Sequence, residues 1–449
     1  MNNSLLSRYS GAVPRYTSYP TAPHFHEGID CGIYAQWLGS LSGREDLSLY
    51  IHIPYCDRLC WFCACHTKHT LKYEPIAAYL GSLKKEIAKV GSLVSGEAKV
   101  SAVHFGGGSP TMVRPEDLIS LMDCLKAAFS FGENVEISVE MDPNDLDDSR
   151  YDALAQIGMT RASLGVQDFD PLVQTTINRL QSFEQTKSVV DAVRARGVHS
   201  VNCDILYGLP HQSLETLGRT VDDVLSLAPD RIALFGYAHV PWMKKHQTMI
   251  PEAALPGLEE RFAQMTMASD MLLAAGYEAI GIDHFALPGD SLAIAAREGR
   301  LRRNFQGYTD DGAKALIGLG ASSIGQLPQG YVQNMPATGE YQRMADSDGL
   351  AVVRGIALSD EDRMRARVIE EIMCSFSVSF SALRTDFGRL AEMMIAEARQ
   401  FAGSNRDGIC EIVEGEFRLT EAGRPFARTV AAVFDSYLST GKGRHSIAV

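Results

Sequence analysis

Within ten residues the chain carries Cys56-Asp-Arg-Leu-Cys60-Trp-Phe-Cys63-Ala-Cys65. Thiolates are soft ligands, and three of them spaced C-x3-C-x2-C on one tight loop can hold three irons of a cubane [4Fe–4S] cluster. The fourth iron is then left without a protein ligand. An iron with open positions can chelate a small molecule and pass it one electron, whereas electron-carrying ferredoxins close all four positions. Zinc is the competing reading of a Cys/His-dense loop, and His66 and His69 lie just downstream. Structural zinc usually draws four ligands from two separated pairs. Here the ligands crowd into one stretch with no matching second pair elsewhere. The spacing points to an open iron–sulfur cluster, with zinc as the alternative.

The elements that would position this loop are legible on either side. Leu47-Ser-Leu-Tyr-Ile-His-Ile-Pro54 alternates in polarity, which predicts a strand ended by Pro54, so the cysteines follow a first β-strand. From about 46 to 285 the beat repeats. The amphipathic run 74–90 sets Tyr79, Leu83 and Ile87 on one helical face. Further strands are expected over 99–105, 135–141, 161–167, 200–207 and 231–237, with 278–282 as a candidate seventh. Strands alternating with helices imply a parallel sheet. Six such units predict an α/β fold, a partial (β/α)6-type barrel. No G-x-G-x-x-G follows the first strand, so a dinucleotide fold lacks its main support. Polar residues gather where the strands end: His52, Gly106-Gly-Gly108, Glu140, Gln167 with Asp168, Asp204 and His239. In a parallel βα barrel the loops converge at that face. Any one acidic residue there could merely cap a helix; their shared register carries the weight.

Composition bounds the rest. A formal charge of −13 argues against a broad nucleic-acid-binding face, because phosphate contacts need clustered Lys and Arg. Nine cysteines, an odd number without paired spacing, fit a reducing cytoplasm better than a secreted disulfide framework. No apolar run approaches the ~18 residues of a membrane span, and the N-terminus lacks an apolar signal segment. A cytoplasmic protein without membrane or nucleic-acid partners is expected. Nothing in the pattern demands a dimer, so a monomer is expected too. Three units are expected: an extended N-terminal arm over 1–45 lying on the main domain, the barrel over 46–345, and a mostly helical, winged-helix-like C-terminal domain over 346–449. The last opens a helix at the capping box Ser359-Asp-Glu-Asp362 and carries a hairpin turning at Glu414-Gly415. The glycine-rich run Leu316–Gly325 reads as a place of close backbone approach to a ligand or helix.

The triple glycine after the second strand exposes backbone groups with no side chains in the way. It could hydrogen-bond the amino and carboxylate ends of an amino acid seated on the cluster. S-adenosylmethionine (SAM) fits that description: one electron cleaves its sulfonium and gives a 5′-deoxyadenosyl radical that takes hydrogen from an unactivated carbon.

With these motifs in place, the chain resembles the oxygen-independent coproporphyrinogen III oxidases of the radical SAM superfamily. The resemblance runs nearly end to end, through Pro14-Arg-Tyr-Thr-Ser-Tyr-Pro20, Tyr50-Ile-His-Ile-Pro-Tyr-Cys56, Gly106-Gly-Gly-Ser-Pro-Thr111, Gly165-Val-Gln-Asp-Phe169, Asp204-Ile-Leu-Tyr-Gly-Leu-Pro210, Asn304-Phe-Gln-Gly-Tyr-Thr309 and Phe434-Asp-Ser-Tyr-Leu438. It implies oxidative decarboxylation of two propionates of coproporphyrinogen III to vinyl groups, giving protoporphyrinogen IX in haem biosynthesis. It implies that Cys56, Cys60 and Cys63 bind the [4Fe–4S] cluster and that Tyr50, Gly107, Glu140 and Ile324 contact the SAM on the iron. A second SAM site is implied at Phe62, Gly108, Ser109, Gln167, Arg179, Asp204 and Ala238. Cys65 is the catalytic candidate, its role open: a residue behind the cluster ligands or on the substrate side rather than a cluster ligand. Expected partners are a low-potential reductant such as flavodoxin or ferredoxin and an electron acceptor that the sequence does not name. Ser109 stands where threonine is common and Trp61 where tyrosine is usual; neither disturbs the chemistry. His66 stands where asparagine is expected. Arg15, Arg302 and Arg303 are candidates for the substrate's carboxylates. The rivals are a radical enzyme acting on haem, a haem-trafficking protein and a zinc-stabilised hydrolase.

Overall fold

The computed structural model describes residues 3–438, apart from 42, 44, 95 and 145. The outer ends of the expected arm and C-terminal domain, 1–2 and 439–449, lie outside the described residues. Six strands form the working sheet: β1 (Asp46–Ile53), β2 (Lys99–Gly107), β3 (Ser130–Met141), β4 (Arg161–Gln167), β5 (Ser200–Tyr207) and β6 (Arg231–Gly236). They lie side by side in sequence order, every neighbouring pair parallel. Helices Glu74–Leu93, Pro115–Ala128, Asp148–Gln156, Phe183–Ala195 and Leu214–Ser226 make the crossovers that parallel pairing requires.

The strand β4 shows a strict period of two, and the period has a consequence. Along β4, Ala162, Leu164 and Val166 are buried while Arg161, Ser163, Gly165 and Gln167 are half-buried. The apolar set joins the main core, and the polar set faces inward. Glu136, Ser138 and Glu140 from β3, Ser163 from β4, and Asn202 and Asp204 from β5 line one cavity of about 230 Å³. The inside of this barrel is therefore polar and hollow, unlike one filled by branched aliphatic side chains.

The sheet does not stop at six strands. Ala315–Leu319 pairs parallel with β1, and Ile324–Leu327, Gly330–Asn334 and Val352–Ala357 continue outward antiparallel. Ala315–Leu319 overlaps the start of the run Leu316–Gly325, read as a glycine-rich approach segment. All five of its residues are buried, so the alternation that betrays a half-buried strand is missing. The close approach is real at Gly320, where a Cβ would lie 2.5 Å from Tyr79 Oη and 2.6 Å from the His52 carbonyl. The candidate seventh unit, 278–282, is instead an edge strand, Glu278–Ile280. It pairs antiparallel with His284–Ala286, which pairs antiparallel with β6. The three residues between those strands are too few for a parallel crossover. Because Val352–Ala357 belongs to the main sheet, that sheet runs past the boundary expected at 346.

Beyond it lies a second core. The helix Asp360–Ser375 starts at the Ser359/Asp362 capping box, and a three-stranded sheet joins Ser377–Ser379 to a hairpin turning at Glu414-Gly415. The arm is neither wholly extended nor confined to the main domain. It contains helices Asn3–Tyr9 and Cys31–Gly39. Leu6, Val13, Tyr16 and Tyr19 are buried in the C-terminal core, while Tyr34 and Leu38 are buried in the barrel core. The physical reason is the tyrosines: Tyr16 donates to Asp435 Oδ2 (3.0 Å), a partner the barrel does not offer.

One buried carboxylate ties the extension of the sheet to the first crossover helix. Glu86, 1 % exposed, accepts from Gly320 N (2.8 Å), Asn334 Nδ2 (2.6 Å) and Tyr341 Oη (2.6 Å). Burial outweighs these donors and pushes its carboxyl up to about 7. The folded protein thus holds a proton on Glu86 between its usual 4.5 and about 7, where the unfolded chain has lost it. Stability falls as pH rises through that window, by on the order of 3 kcal/mol at full effect. Thermal unfolding at pH 4.5 and pH 7.5 checks this: Glu86→Gln is expected to lose that part of the pH dependence, narrowing its deficit against wild type at the higher pH.

Candidate functional site

The cysteine loop leaves the sheet at the end of β1 and is closed at its root. Lys68 N donates to the Pro54 carbonyl (2.6 Å) and Thr70 N to the Cys56 carbonyl (2.9 Å). Its far side is held by side chains from distant segments. His246 Nε2 donates to the Cys63 carbonyl (2.7 Å), Lys244 Nζ to that of Cys65 (2.8 Å) and Gln247 Nε2 to that of Phe62 (2.8 Å). Asn178 Nδ2 donates to the Leu59 carbonyl (2.9 Å), and Trp61 N to that of Ile177 (2.9 Å). Five backbone groups are thereby fixed, and none of the nine cysteines is in a disulfide.

The sulfurs suit a metal cluster. Burial pushes the Cys56 thiol up to about 12 and raises that of Cys60. A bare thiolate is costly at these two positions, and coordination to a metal removes that cost. Arg179 Nη1 lies 3.8 Å from Cys60 Sγ and is anchored by Asp142 Oδ2 at 2.5 Å, so one fixed cation already faces the sulfurs. Among the described residues no group of three His, Cys, Asp or Glu side chains, the loop cysteines included, is gathered closely enough to hold a single metal ion. Cys65, the catalytic candidate, is exposed, and its backbone N–H lies 3.4 Å from Cys63 Sγ.

Beside the loop, Gly106-Gly-Gly108 ends β2. Gly107 adopts φ +112°, and a Cβ there would sit 2.5 Å from the His52 ring; one on Gly106 would sit 2.8 Å from the Glu140 carboxylate. Gly107 N donates to Glu140 Oε2 (2.9 Å), and His104 Nε2 is 3.2 Å from Glu140 Oε1. Burial alone would raise the Glu140 carboxyl, but these bonds outweigh it and hold it below the usual range. The Tyr50 ring stacks on His104, with centroids 5.8 Å apart, and its hydroxyl lies 3.0 Å from His52 Nδ1. Tyr50, Gly107 and Glu140 therefore form one contiguous group with His104, which the sequence did not single out. Ile324 opens the strand across from them, its carbonyl packed on Gly318 of the strand beside β1.

The remaining candidates group by element. Gln167 ends β4 with φ +66°, and its side-chain nitrogen crowds Gly165. Arg179 donates to the Gly165 carbonyl (2.9 Å) and to Gln181 Oε1 (2.9 Å). Asp204 accepts from Asn202 Nδ2 (2.8 Å), lines the lumen with Glu140, and is pushed up to about 6 by burial. Phe62 packs in an apolar cluster with Val173, Ile177 and Tyr237, and the Ala238 carbonyl accepts from Gln247 Nε2 (3.2 Å). Gly108 abuts the Tyr55 carbonyl. Ser109 stands apart: its hydroxyl is 3.1 Å from Thr111 Oγ1, and it lines a separate cleft with Asp57 and Asp142. Sequence reasoning also passed over Asp142, Lys244, His246 and Gln247. A Lys-Lys-His-Gln run, 244–247, following β6 was the available signal.

A parallel sheet with a three-cysteine loop at its carboxyl end and a glycine turn beside it defines the radical SAM class, and the model of the radical SAM superfamily matches residues 50–224. The model of the HemN C-terminal domain matches residues 358–426. A protein of Paracoccus denitrificans named oxygen-independent coproporphyrinogen III oxidase is 47 % identical over 444 residues, spanning 99 % of this chain and 98 % of its own. One of the same name from Pseudomonas aeruginosa is 40 % identical, spanning 97 % and 95 %. The solved coproporphyrinogen III oxidase HemN of Escherichia coli, described as a radical SAM enzyme, superposes with a TM-score of 0.91 at 36 % identity, covering 97 % of this chain and 99 % of that one. The chain belongs to the oxygen-independent coproporphyrinogen III oxidase family.

Gly107→Ala tests the turn. Left-handed backbone and a clash with His52 together are expected to cost about 2–4 kcal/mol, read as a lower thermal midpoint and loss of SAM binding in calorimetry.

Proposed function

We propose that this chain oxidatively decarboxylates two propionates of coproporphyrinogen III to vinyl groups, forming protoporphyrinogen IX, with a [4Fe–4S] cluster and SAM as cofactors. The observation that carries the reading is the seating of the three-cysteine loop directly against the Gly106–Gly108 turn. In this reading Cys56, Cys60 and Cys63 hold the cluster, and Tyr50, Gly107, Glu140 and Ile324 surround the SAM beside it. Phe62, Gly108, Ser109, Gln167, Arg179, Asp204 and Ala238 serve a second SAM. When bound, these groups supply reductive one-electron cleavage and hydrogen-atom abstraction from an unactivated carbon.

The chain's own residues do the positioning. Glu140, kept ionised by His104 and the Gly107 N–H, accepts from the ammonium end of the methionyl moiety. The Gly106–Gly108 backbone admits its carboxylate without steric obstruction. Asp204 and Gln167 offer an acceptor and a donor for a nucleoside's hydroxyls and amines. Arg179, clamped by Asp142, holds a positive charge against Cys60. Cys65 faces the substrate side. A low-potential reductant such as flavodoxin or ferredoxin, a separate acceptor for the last electron, and a cytoplasmic monomer complete the proposal. No helix among the described residues is long and apolar enough to cross a membrane.

Anaerobic incubation of the iron-reconstituted protein with SAM, a low-potential reductant and coproporphyrinogen III tests it. Protoporphyrinogen IX and 5′-deoxyadenosine are expected together, and both are expected to fall at least a thousandfold in Cys60→Ser. SAM cleavage with the tetrapyrrole untouched would overturn the substrate assignment.

A further inference from the structure

A second cavity, of about 400 Å³, opens beside the polar lumen at the carboxyl end of β6, and the two share Phe235. Four arginines from four separate segments reach it. Arg15 comes from the arm, Arg261 from the helix Leu258–Ala274, Arg303 from the strand Arg302–Asn304 and Arg428 from the helix Ala427–Ala431. A fifth, Arg424, is neutralised by Glu421 at 2.9 Å. In a chain of net charge −13, such a gathering of cations is not a matter of composition.

Both desolvation and mutual repulsion oppose it. Burial lowers the Arg15, Arg261 and Arg428 guanidiniums, Arg428 to about 10, and Arg15 depresses Arg261 and Arg428 further. Arg15 is nevertheless solvent-accessible, as a side chain deep among protein atoms is when it borders a hollow. Three carboxylates, Asp270, Asp283 and Glu421, border the cavity against these cations. Asp283 Oδ1 lies 3.8 Å from Arg303 Nη1 but is already bonded to His284 Nδ1 at 2.7 Å. Several donors go to backbone carbonyls: Arg15 to Gly236 (3.1 Å), Arg261 to Tyr237 (3.0 Å) and Arg428 to Val13 (2.7 Å). Arg303 is the deepest of the four, and although burial lowers its guanidinium, Tyr308 and Asp283 raise it overall. Its side chain is 5 % exposed and stacks 4.4 Å over the Tyr308 ring, yet Nε and Nη1 have no hydrogen-bond partner. Arg261 Nε also has none. Buried donors without acceptors are expensive, and guanidiniums are poor packing material, so the arrangement calls for anionic acceptors from outside the chain.

We infer that this cavity binds the carboxylates of the tetrapyrrole that are not reacting, with Arg15, Arg261, Arg303 and Arg428 as the specificity-determining cations. The inference rests on the substrate reading above. The location suits it: the cavity adjoins, through Phe235, the lumen that holds Glu140 and Asp204. A propionate held here would leave another directed toward the cysteine loop. Arg302, the third cation singled out in the sequence, pairs with Glu370 at 3.8 Å and does not line the cavity.

The experiment uses the reconstituted enzyme and reads KM and kcat separately for coproporphyrinogen III. Arg303→Gln and Arg15→Gln are each expected to raise KM roughly ten- to hundredfold, with a smaller change in kcat. Arg15→Lys is expected to recover part of the loss, and the exposed Arg300→Gln to behave as wild type. Because Arg303→Gln could disturb folding, binding is also measured by fluorescence with the stable probe coproporphyrin III and its tetramethyl ester. The acid is expected to bind wild type at least tenfold more tightly than the ester, and Arg15→Gln to erase most of that preference. Equal binding of acid and ester, or unchanged KM in both glutamine variants while wild type turns over, overturns the arginine site and leaves the substrate reading standing. A wild type that converts no coproporphyrinogen III overturns the substrate reading, and the site with it.

Discussion

The structure depends on one backbone-to-backbone contact. Gly108 N donates to the Ile53 carbonyl and Ser109 N to that of Tyr55, both at 2.8 Å, so the turn ending β2 is stitched to the chain leaving β1. A Cβ on Gly108 would meet the Tyr55 carbonyl oxygen at 2.6 Å and the Pro54 carbonyl carbon at 2.9 Å. No side chain fits between the root of the cysteine loop and the glycine turn. Everything chemical follows from that proximity: the sulfurs, the bare backbone of Gly107 and the carboxylate of Glu140 are neighbours because the two strand ends touch.

The surrounding sheet keeps this contact accessible. An alternating strand buries one face under helices and turns the other inward, and here Glu, Ser, Asn and Asp side chains join a few apolar ones in lining the lumen. A polar lumen is a poor core, so stability comes from the helix-facing side, where Ile51, Phe105, Leu164 and Ile205 are essentially fully buried. Glu86 and Tyr79 brace the same region from behind, Tyr79 Oη donating to the His52 carbonyl (2.7 Å) and accepting from Ala321 N (2.9 Å).

Much of this was legible in the sequence, for identifiable reasons. The cysteine spacing, the triple glycine and the short apolar strands are local signals; the strands form where expected as β1, β2, β4 and β5, with strict alternation of burial in β4. Strands buried on both faces, such as Ala315–Leu319, carry no alternation and were read as something else. The antiparallel edge at 278–286 was misplaced because a single strand does not reveal its direction of pairing. Arg428 and Arg261 sit on helices, where an arginine reads as solvated surface; only the tertiary fold aims them into one cavity with Arg15 and Arg303. Lys244, His246 and Gln247 clamp a loop about 180 residues away in sequence, a relation that no local pattern encodes.

The central claim is that three cysteines hold a cluster with one iron left open to SAM. Electron paramagnetic resonance of the anaerobically reconstituted, reduced protein tests it most directly. The account predicts about four irons per chain, a [4Fe–4S] signal whose g-values shift when SAM is added, the same behaviour in Cys65→Ser, and loss of the cluster in Cys56→Ser. A signal indifferent to SAM, or one bound zinc in place of iron, would contradict it.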